Sequence, residues 1–348
     1  MSDPLRFGLV GAGRIADCYA QVFEKSEWAR VAGIADVRPE AAGALAGRLG
    51  CPAFDSCRSM SADCALDAVV VCTPPATHPE IARHFLRRQI HVLCEKPLSI
   101  DFRSARLMAH EALRSGAILT LASKFRFVED VVRARRLVES GAIGGLVLAE
   151  NSFTARTDMS ARWNSNPALS GGGVLIDNGT HSVDLMRFFL GPLVDVQIVE
   201  GPRTQGLAVE ETVRLFVRNL DGVLGSIDLS WSLGKEAESY LTLYGTEGVL
   251  TVGWKESRYR RASNSDWISF GTGYDKVEAF RSQIENFTRA IRGEDVLRVG
   301  IEDALASVEV IEAAYRALHG SRWTAVGADR LRRSRNLSLV ALVAGGRG

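Results

Sequence analysis

Five short apolar runs, at residues 5–10, 31–35, 68–72, 91–94 and 118–121, are nearly continuous rather than alternating, and amphipathic segments separate them. A strand made almost wholly of apolar residues needs cover on both faces, so this rhythm predicts a parallel sheet with helices on either side. Between the third and fourth runs, Thr77 and Glu80 stand in capping-box spacing ahead of an apolar face of Ile81, Ala82, Phe85 and Leu86. That arrangement predicts a helix start at Thr77.

Gly11-Ala12-Gly13-Arg14-Ile15-Ala16 follows the first run directly and opens a helix, giving G-x-G-x-x-A. Gly11 permits the tight turn, Gly13 lets a pyrophosphate approach the backbone, and Ala16 allows close packing of helix on strand. The helix N-terminus offers free N–H groups to the anion, beside Arg14 and Ile15. By itself such a motif can be a bare turn; its strand-turn-helix setting points to a dinucleotide. The second run closes at Asp36, where a carboxylate accepts from ribose hydroxyls and repels a 2'-phosphate, favouring NAD. Arg38, two residues on, keeps NADP open as a partner.

Past Ser123 the rhythm changes. A helix is predicted over 129–140, then strands near 146–153, 194–199, 213–217, 223–231, 239–244 and 249–252. In one of these Val223, Gly225, Ile227, Leu229 and Trp231 face one way and Ser226, Asp228, Ser230 and Ser232 the other, as in an antiparallel sheet with one half-wet face. Two helices follow, one carrying Val277, Phe280, Ile284, Phe287 and Ile291, the other Ile301, Leu305, Val308, Ile311, Tyr315 and Leu318 at helical spacing. The expected fold is α/β: a Rossmann doubly wound parallel sheet over 1–122, then an α/β domain with a large, mostly antiparallel open sheet over 123–328, then a tail over 329–348. A sheet face without helices needs cover, and a homodimer or homotetramer through that face would supply it.

A chain of 348 residues outgrows a single core, which agrees with two domains. Its net charge of +1 gives no electrostatic case for nucleic acid or an acidic membrane as partner. The apolar stretch at 339–344 is far short of the about 20 residues that a membrane span needs. The first residues run into a strand pattern without a secretory signal, so the expected location is cytoplasmic. Six cysteines (Cys18, Cys51, Cys57, Cys64, Cys72, Cys94) show neither C-x-x-C nor zinc spacing and read as reduced thiols. Arg133, Arg135 and Arg136 read as a solvated helix face.

If the dinucleotide serves hydride transfer from an alcohol, a base near neutral pKa is needed at the hydroxyl, and an unperturbed His181 meets that need. Lys96 can hold the developing alkoxide or, with a depressed pKa, share the proton transfer. Asp177, His181 and Asp184 share one face of a helix; Asp177 can bind a second hydroxyl and Asp184 can orient the imidazole. The same three residues lack a fourth ligand for a metal, and none is expected.

The glycine turn, Thr73-Pro74-Pro75-Ala76-Thr77-His78, Glu95-Lys96-Pro97, and Gly171-Gly172-Gly173 followed by Asp177 and His181 together resemble the Gfo/Idh/MocA family of sugar and inositol oxidoreductases. The motifs match in order over residues 5–320. The resemblance implies hydride transfer between nicotinamide and a secondary alcohol or ketone of an inositol, sugar or sugar derivative. It also implies Lys96, Asp177 and His181 as catalytic and substrate-binding residues, and Thr73, Pro74, His78, Glu95 and Lys96 around the nicotinamide. Arg126 and Trp163 would stand at the substrate, and the Lys96–Pro97 bond would be cis. Two rival readings are a biosynthetic NADPH-dependent keto-sugar reductase and a non-catalytic dinucleotide-sensing regulator. A sensor has no need of the Lys96, Asp177, His181 set.

Overall fold

The computed structural model describes residues 3–320 and 324–326, so the expected tail and the boundary at 328 lie outside the described residues. The apolar runs form six strands: β1 (Leu5–Val10), β2 (Ala29–Ala35), β3 (Ala53–Phe54), β4 (Ala68–Val71), β5 (His91–Cys94) and β6 (Leu119–Leu121). They pair in parallel in the order β3-β2-β1-β4-β5-β6. Every residue of β4 is buried, as a strand covered on both faces requires. The strand order reverses between β1 and β4, and the crevice outside their C-terminal ends is where open α/β sheets bind ligands.

Helices α1 (Arg14–Phe23), α2 (Pro39–Leu49), α3 (Cys57–Asp63), α4 (His78–Leu86) and α5 (Phe102–Ser115) join these strands. The capping box expected at α4 does not form. Residues 75–77 make a tight turn that runs straight into the helix, so Thr77 has helical backbone instead of the extended conformation of a cap. Its hydroxyl donates back to Thr73 Oγ1 (2.7 Å) and Pro74 O (2.8 Å), and Glu80 pairs with Arg58 at the surface.

The second half contains α6 (Glu129–Glu139), α7 (Pro167–Ser170) and α8 (Val174–Leu190), and a sheet of nine strands among the described residues. These are β7 (Leu146–Thr154), β8 (Leu193–Glu200), β9 (Thr212–Asn219), β10 (Leu224–Ser230), β11 (Ser239–Gly245), β12 (Gly248–Gly253), β13 (Ser257–Arg261), β14 (Ile268–Gly271) and β15 (Thr324–Ala325). Only β7 and β10 pair in parallel; every other neighbour is antiparallel. The inner face, with Leu215, Ile227, Leu243 and Val252, packs in one core with Val183, Met186 and Leu190 of α8.

The last two helices, α9 (Lys276–Ile291) and α10 (Ile301–Gly320), bind the two sheets together. Phe280, Ile284 and Phe287 of α9 enter the core of the first sheet with Phe7, Leu9 and Tyr19. Ala304 and Val308 of α10 join Val92 and Leu121 in that sheet's other core, while Val310 and Ile311 face the second. No helix among the described residues is long and apolar enough to cross a membrane.

Candidate active site

At the reversal point, Gly11 has φ +95° and its missing Cβ would lie 2.9 Å from the carbonyl of Cys72, so only glycine fits there. Gly13 is the N-cap of α1, with no side-chain cap and open space where a Cβ would stand. The first turn of α1 therefore presents N–H groups to an anion, with Arg14 exposed beside it. Asp36 follows β2 and accepts from Ala12 N (2.6 Å) and Arg38 N (2.9 Å); Arg38 Nε stands 3.3 Å away. Burial pushes the Asp36 carboxyl up, but these donors outweigh it and hold the group below its ordinary value. An uncapped helix end with a persistent carboxylate beside it suits a dinucleotide's diphosphate and ribose.

Lys96 leaves β5 through a cis bond to Pro97. Its ammonium crosses to α8, donating to Asp177 Oδ1 (2.5 Å) and Asp177 O (3.1 Å). Both side chains stay partly open, at 17% and 20% exposed. One turn along α8, His181 is buried and its Nδ1 has no partner. Burial, then the charges of Lys96 and Lys124, push the imidazole well below 6.5. The expectation of an unperturbed histidine is thus corrected: this one is neutral at pH 7.

Asp184 does not orient His181. It accepts from Ser123 (2.8 Å) and takes a two-point ion pair from Arg126 (2.9 and 2.8 Å), all buried. Arg126, expected at the substrate, is thereby committed to holding the 124–127 turn against α8. With its oxygens engaged, Asp184 is not free to complete a metal site either. Trp163, also expected at the substrate, is 42% exposed and makes no ring contact with the aromatic cluster among the described residues.

His78 and Glu95 stand behind the cleft instead of lining it. His78 is fully buried, with its ring nitrogens 2.9 Å from Pro97 O and 2.8 Å from Thr73 O, so it braces the Lys96–Pro97 turn against the β4 loop. Glu95 accepts from Tyr19 Oη (2.7 Å) and Lys96 N (3.2 Å), and burial pushes its carboxyl up. Thr73 and Pro74 remain partly exposed at the crevice.

Sequence reasoning missed an aromatic wall. Phe125 stacks on Phe153 (4.8 Å) and Tyr274 (5.3 Å), and His181 meets it edge-on at 5.1 Å. Tyr240 lies 5.4 Å from Phe125, and the hydroxyls of Tyr240 and Tyr274 are buried without partners. Such rings present flat apolar faces with a few polar tips, as sites for small organic ligands do. The signal available was Lys124-Phe125-Arg126-Phe127, from which only the arginine was taken; Tyr274 lies in a loop with no pattern around it.

Two family models match the chain: the oxidoreductase family with an NAD-binding Rossmann fold over residues 5–123, and the GFO/IDH/MocA C-terminal domain over residues 131–251. The chain belongs to the Gfo/Idh/MocA oxidoreductase family. It is an oxidoreductase with an NAD-binding Rossmann sheet. Inositol 2-dehydrogenase of Rhizobium meliloti is 29% identical over 345 residues, covering 91% of this chain and 98% of its own length. The rhizopine catabolism protein MocA of the same species is 27% identical, with coverages of 90% and 95%. Among solved structures, GenD2 from gentamicin A biosynthesis in complex with NAD superposes with a TM-score of 0.84, at 26% identity, covering 93% of this chain and 97% of that one.

Proposed function

We propose that this enzyme moves a hydride between nicotinamide and a secondary alcohol or ketone of an inositol, sugar or sugar derivative, with Lys96, Asp177 and His181 at the reacting carbon. The observation that carries the reading is the Lys96 to Asp177 contact, which joins a residue leaving the parallel sheet to one on α8. Both the inositol 2-dehydrogenase and MocA relatives span nearly the whole chain, which supports this substrate class.

NAD, when bound against Gly11, Gly13 and Asp36, supplies the hydride acceptor. Lys96 holds the substrate oxygen with an N–H and stabilises negative charge as it develops there. His181, neutral, accepts the hydroxyl proton on a ring nitrogen. Asp177 keeps Lys96 aimed, and its second carboxylate oxygen is placed to hold a neighbouring hydroxyl. Tyr274, the partly exposed ring backed by Phe125 and Phe153, is placed to pack against the C–H face of the substrate ring and exclude water.

Replacing Lys96 by Met should lower kcat by about 10²–10⁴-fold while NADH affinity stays within about threefold, read by steady-state kinetics over a polyol and sugar panel and by NADH fluorescence. An unchanged kcat would end the assignment. Asp36 makes NAD the favoured cofactor over NADP, and NADPH should bind at least about tenfold more weakly than NADH in the same titration; equal affinities would reverse that preference.

The reading extends to the division of labour: residues 1–122 hold the cofactor, and residues 123–328 hold the substrate and associate into a homodimer or homotetramer through the outer sheet face. Six free cysteines suit a reducing cytoplasm.

A further inference from the structure

Lys124 is the cation of the cleft that the reaction above leaves unused. It begins the turn at Lys124–Phe127, and its Nζ lies 5.3 Å from the Phe125 ring centre, 5.7 Å from Tyr274 and 5.9 Å from Phe280. Among the described residues it has neither a hydrogen-bond acceptor nor an ion pair, although the charge of Glu95 acts on it. Its neighbours are otherwise paired: Lys96 with Asp177, and Arg126 with Asp184. The charge of Lys124 bears on Lys96, Glu95 and His181, which places it in the catalytic cluster and not at a remote surface. Lys276, over the same Phe280 ring at 6.0 Å, adds a second ammonium, whose charge also acts on Asp17.

The ammonium is only partly open to water and is held by no acceptor among the described residues, and aromatic faces return only part of what hydration gives. Among the described residues no carboxylate forms an ion pair with Lys124, and Glu95 acts on it only through its charge. Glu95 is bonded to Tyr19, Asp177 to Lys96, Asp184 to Arg126, Asp130 of α6 to Ser257 and the Gly273 N–H, and Glu129 to Arg133. An anionic group on a ligand would supply the ion pair that the fold does not. We propose that Lys124 recognises an anionic substituent, a carboxylate or a phosphate, carried by the polyol or sugar substrate. This rests on the substrate class argued above and narrows it.

The titration of Lys124 agrees. Burial, then repulsion from Lys96, pulls it down to about 8, with Glu95 opposing and Lys276 adding to the repulsion. An anion bound beside it needs the protonated form, so affinity should fall as pH rises through about 8.

The test uses the full chain with NADH bound, and D-gluconate, D-glucuronate and inositol 1-phosphate as probes against D-glucose and myo-inositol. Wild type should bind at least one of the acids, read as a change in NADH fluorescence, at least about tenfold more tightly than its neutral counterpart. Lys124→Met should reduce that ratio about tenfold or more, and Lys124→Arg, which keeps the charge, should restore much of it. Because the readout is binding, it stands even if no panel member is turned over, whereas loss of turnover alone would count against the hydride-transfer reading. No acid preference in wild type, or a ratio unmoved in Lys124→Met, overturns the proposal. So does weakened NADH binding with the ratio unmoved, which would assign the cation to the cofactor's diphosphate.

Discussion

His181 shows how far environment can move a side chain from its ordinary chemistry. Its ring is buried beside two ammonium groups, and both burial and charge penalise the imidazolium. With the folded-state pKa depressed, the imidazole keeps its neutral form further into acid than a free histidine does. For oxidation, kcat/KM should therefore remain flat from pH 7 to about 6, where a histidine titrating near 6.5 would already be losing activity. The pH profile of the free enzyme measures this; a decline centred near 6.5 would show that His181 is not the base or is not so buried. The same depression makes the folded state bind fewer protons than the unfolded one, so this residue's contribution to stability is lost as pH falls below about 6.5. Ordered motifs are legible in a sequence, and the family resemblance they carry singled out His181 and Lys96. Burial and the second lysine are tertiary facts, and so the pKa was misjudged and Lys124 was overlooked in a segment that had been read.

At the scale of elements, the placing of α8 decides whether Asp177 and His181 meet Lys96. Its N-cap is Gly173, which has no side chain to satisfy the first N–H groups. Glu210 does so from the chain just before β9, accepting from Gly173 N (2.9 Å) and Leu175 N (3.1 Å), with Tyr315 Oη of α10 as a third donor (2.8 Å). The fit is close enough that a Cβ on Gly173 would collide with the Glu210 carbonyl, and one on Gly172 with the Tyr315 hydroxyl. The glycines are thus a packed joint and not a flexible loop. Gly173→Ala should cost about 1–3 kcal/mol in urea unfolding and also lower kcat, because Asp177 stands one turn into the displaced helix. Unchanged stability together with unchanged kcat would show that the joint yields freely. Gly171 to Gly173 were legible as a motif, whereas Glu210 lies 37 residues beyond Gly173, where no spacing rule reaches.

Over the whole molecule, legibility followed burial. The parallel sheet was readable strand by strand because double-sided burial leaves unbroken apolar runs; only β3, two residues long with its first exposed, escaped. The second sheet lost β13, β14 and β15, since a strand near the edge such as Ser-Arg-Tyr-Arg-Arg carries charges along much of its length. Helical spacing revealed α9 and α10 but not their destinations, because periodicity marks an apolar face without naming what it packs against. The outer face of the large sheet is the remaining surface to account for. There Val199, Phe216 and Leu224 are exposed at 53%, 39% and 47%, interleaved with the ion pairs Arg214–Asp228 and Arg218–Asp195. Apolar side chains set among paired charges suit a self-complementary contact, in which a two-fold axis lays one sheet on another. Sedimentation velocity at micromolar concentration should therefore find a dimer or tetramer. The double variant Phe216→Glu, Leu224→Glu should sediment as a monomer, because like charges would then face each other across the axis with the apolar contact gone. A wild-type monomer at those concentrations, or an assembly indifferent to both substitutions, would place the interface elsewhere or remove it.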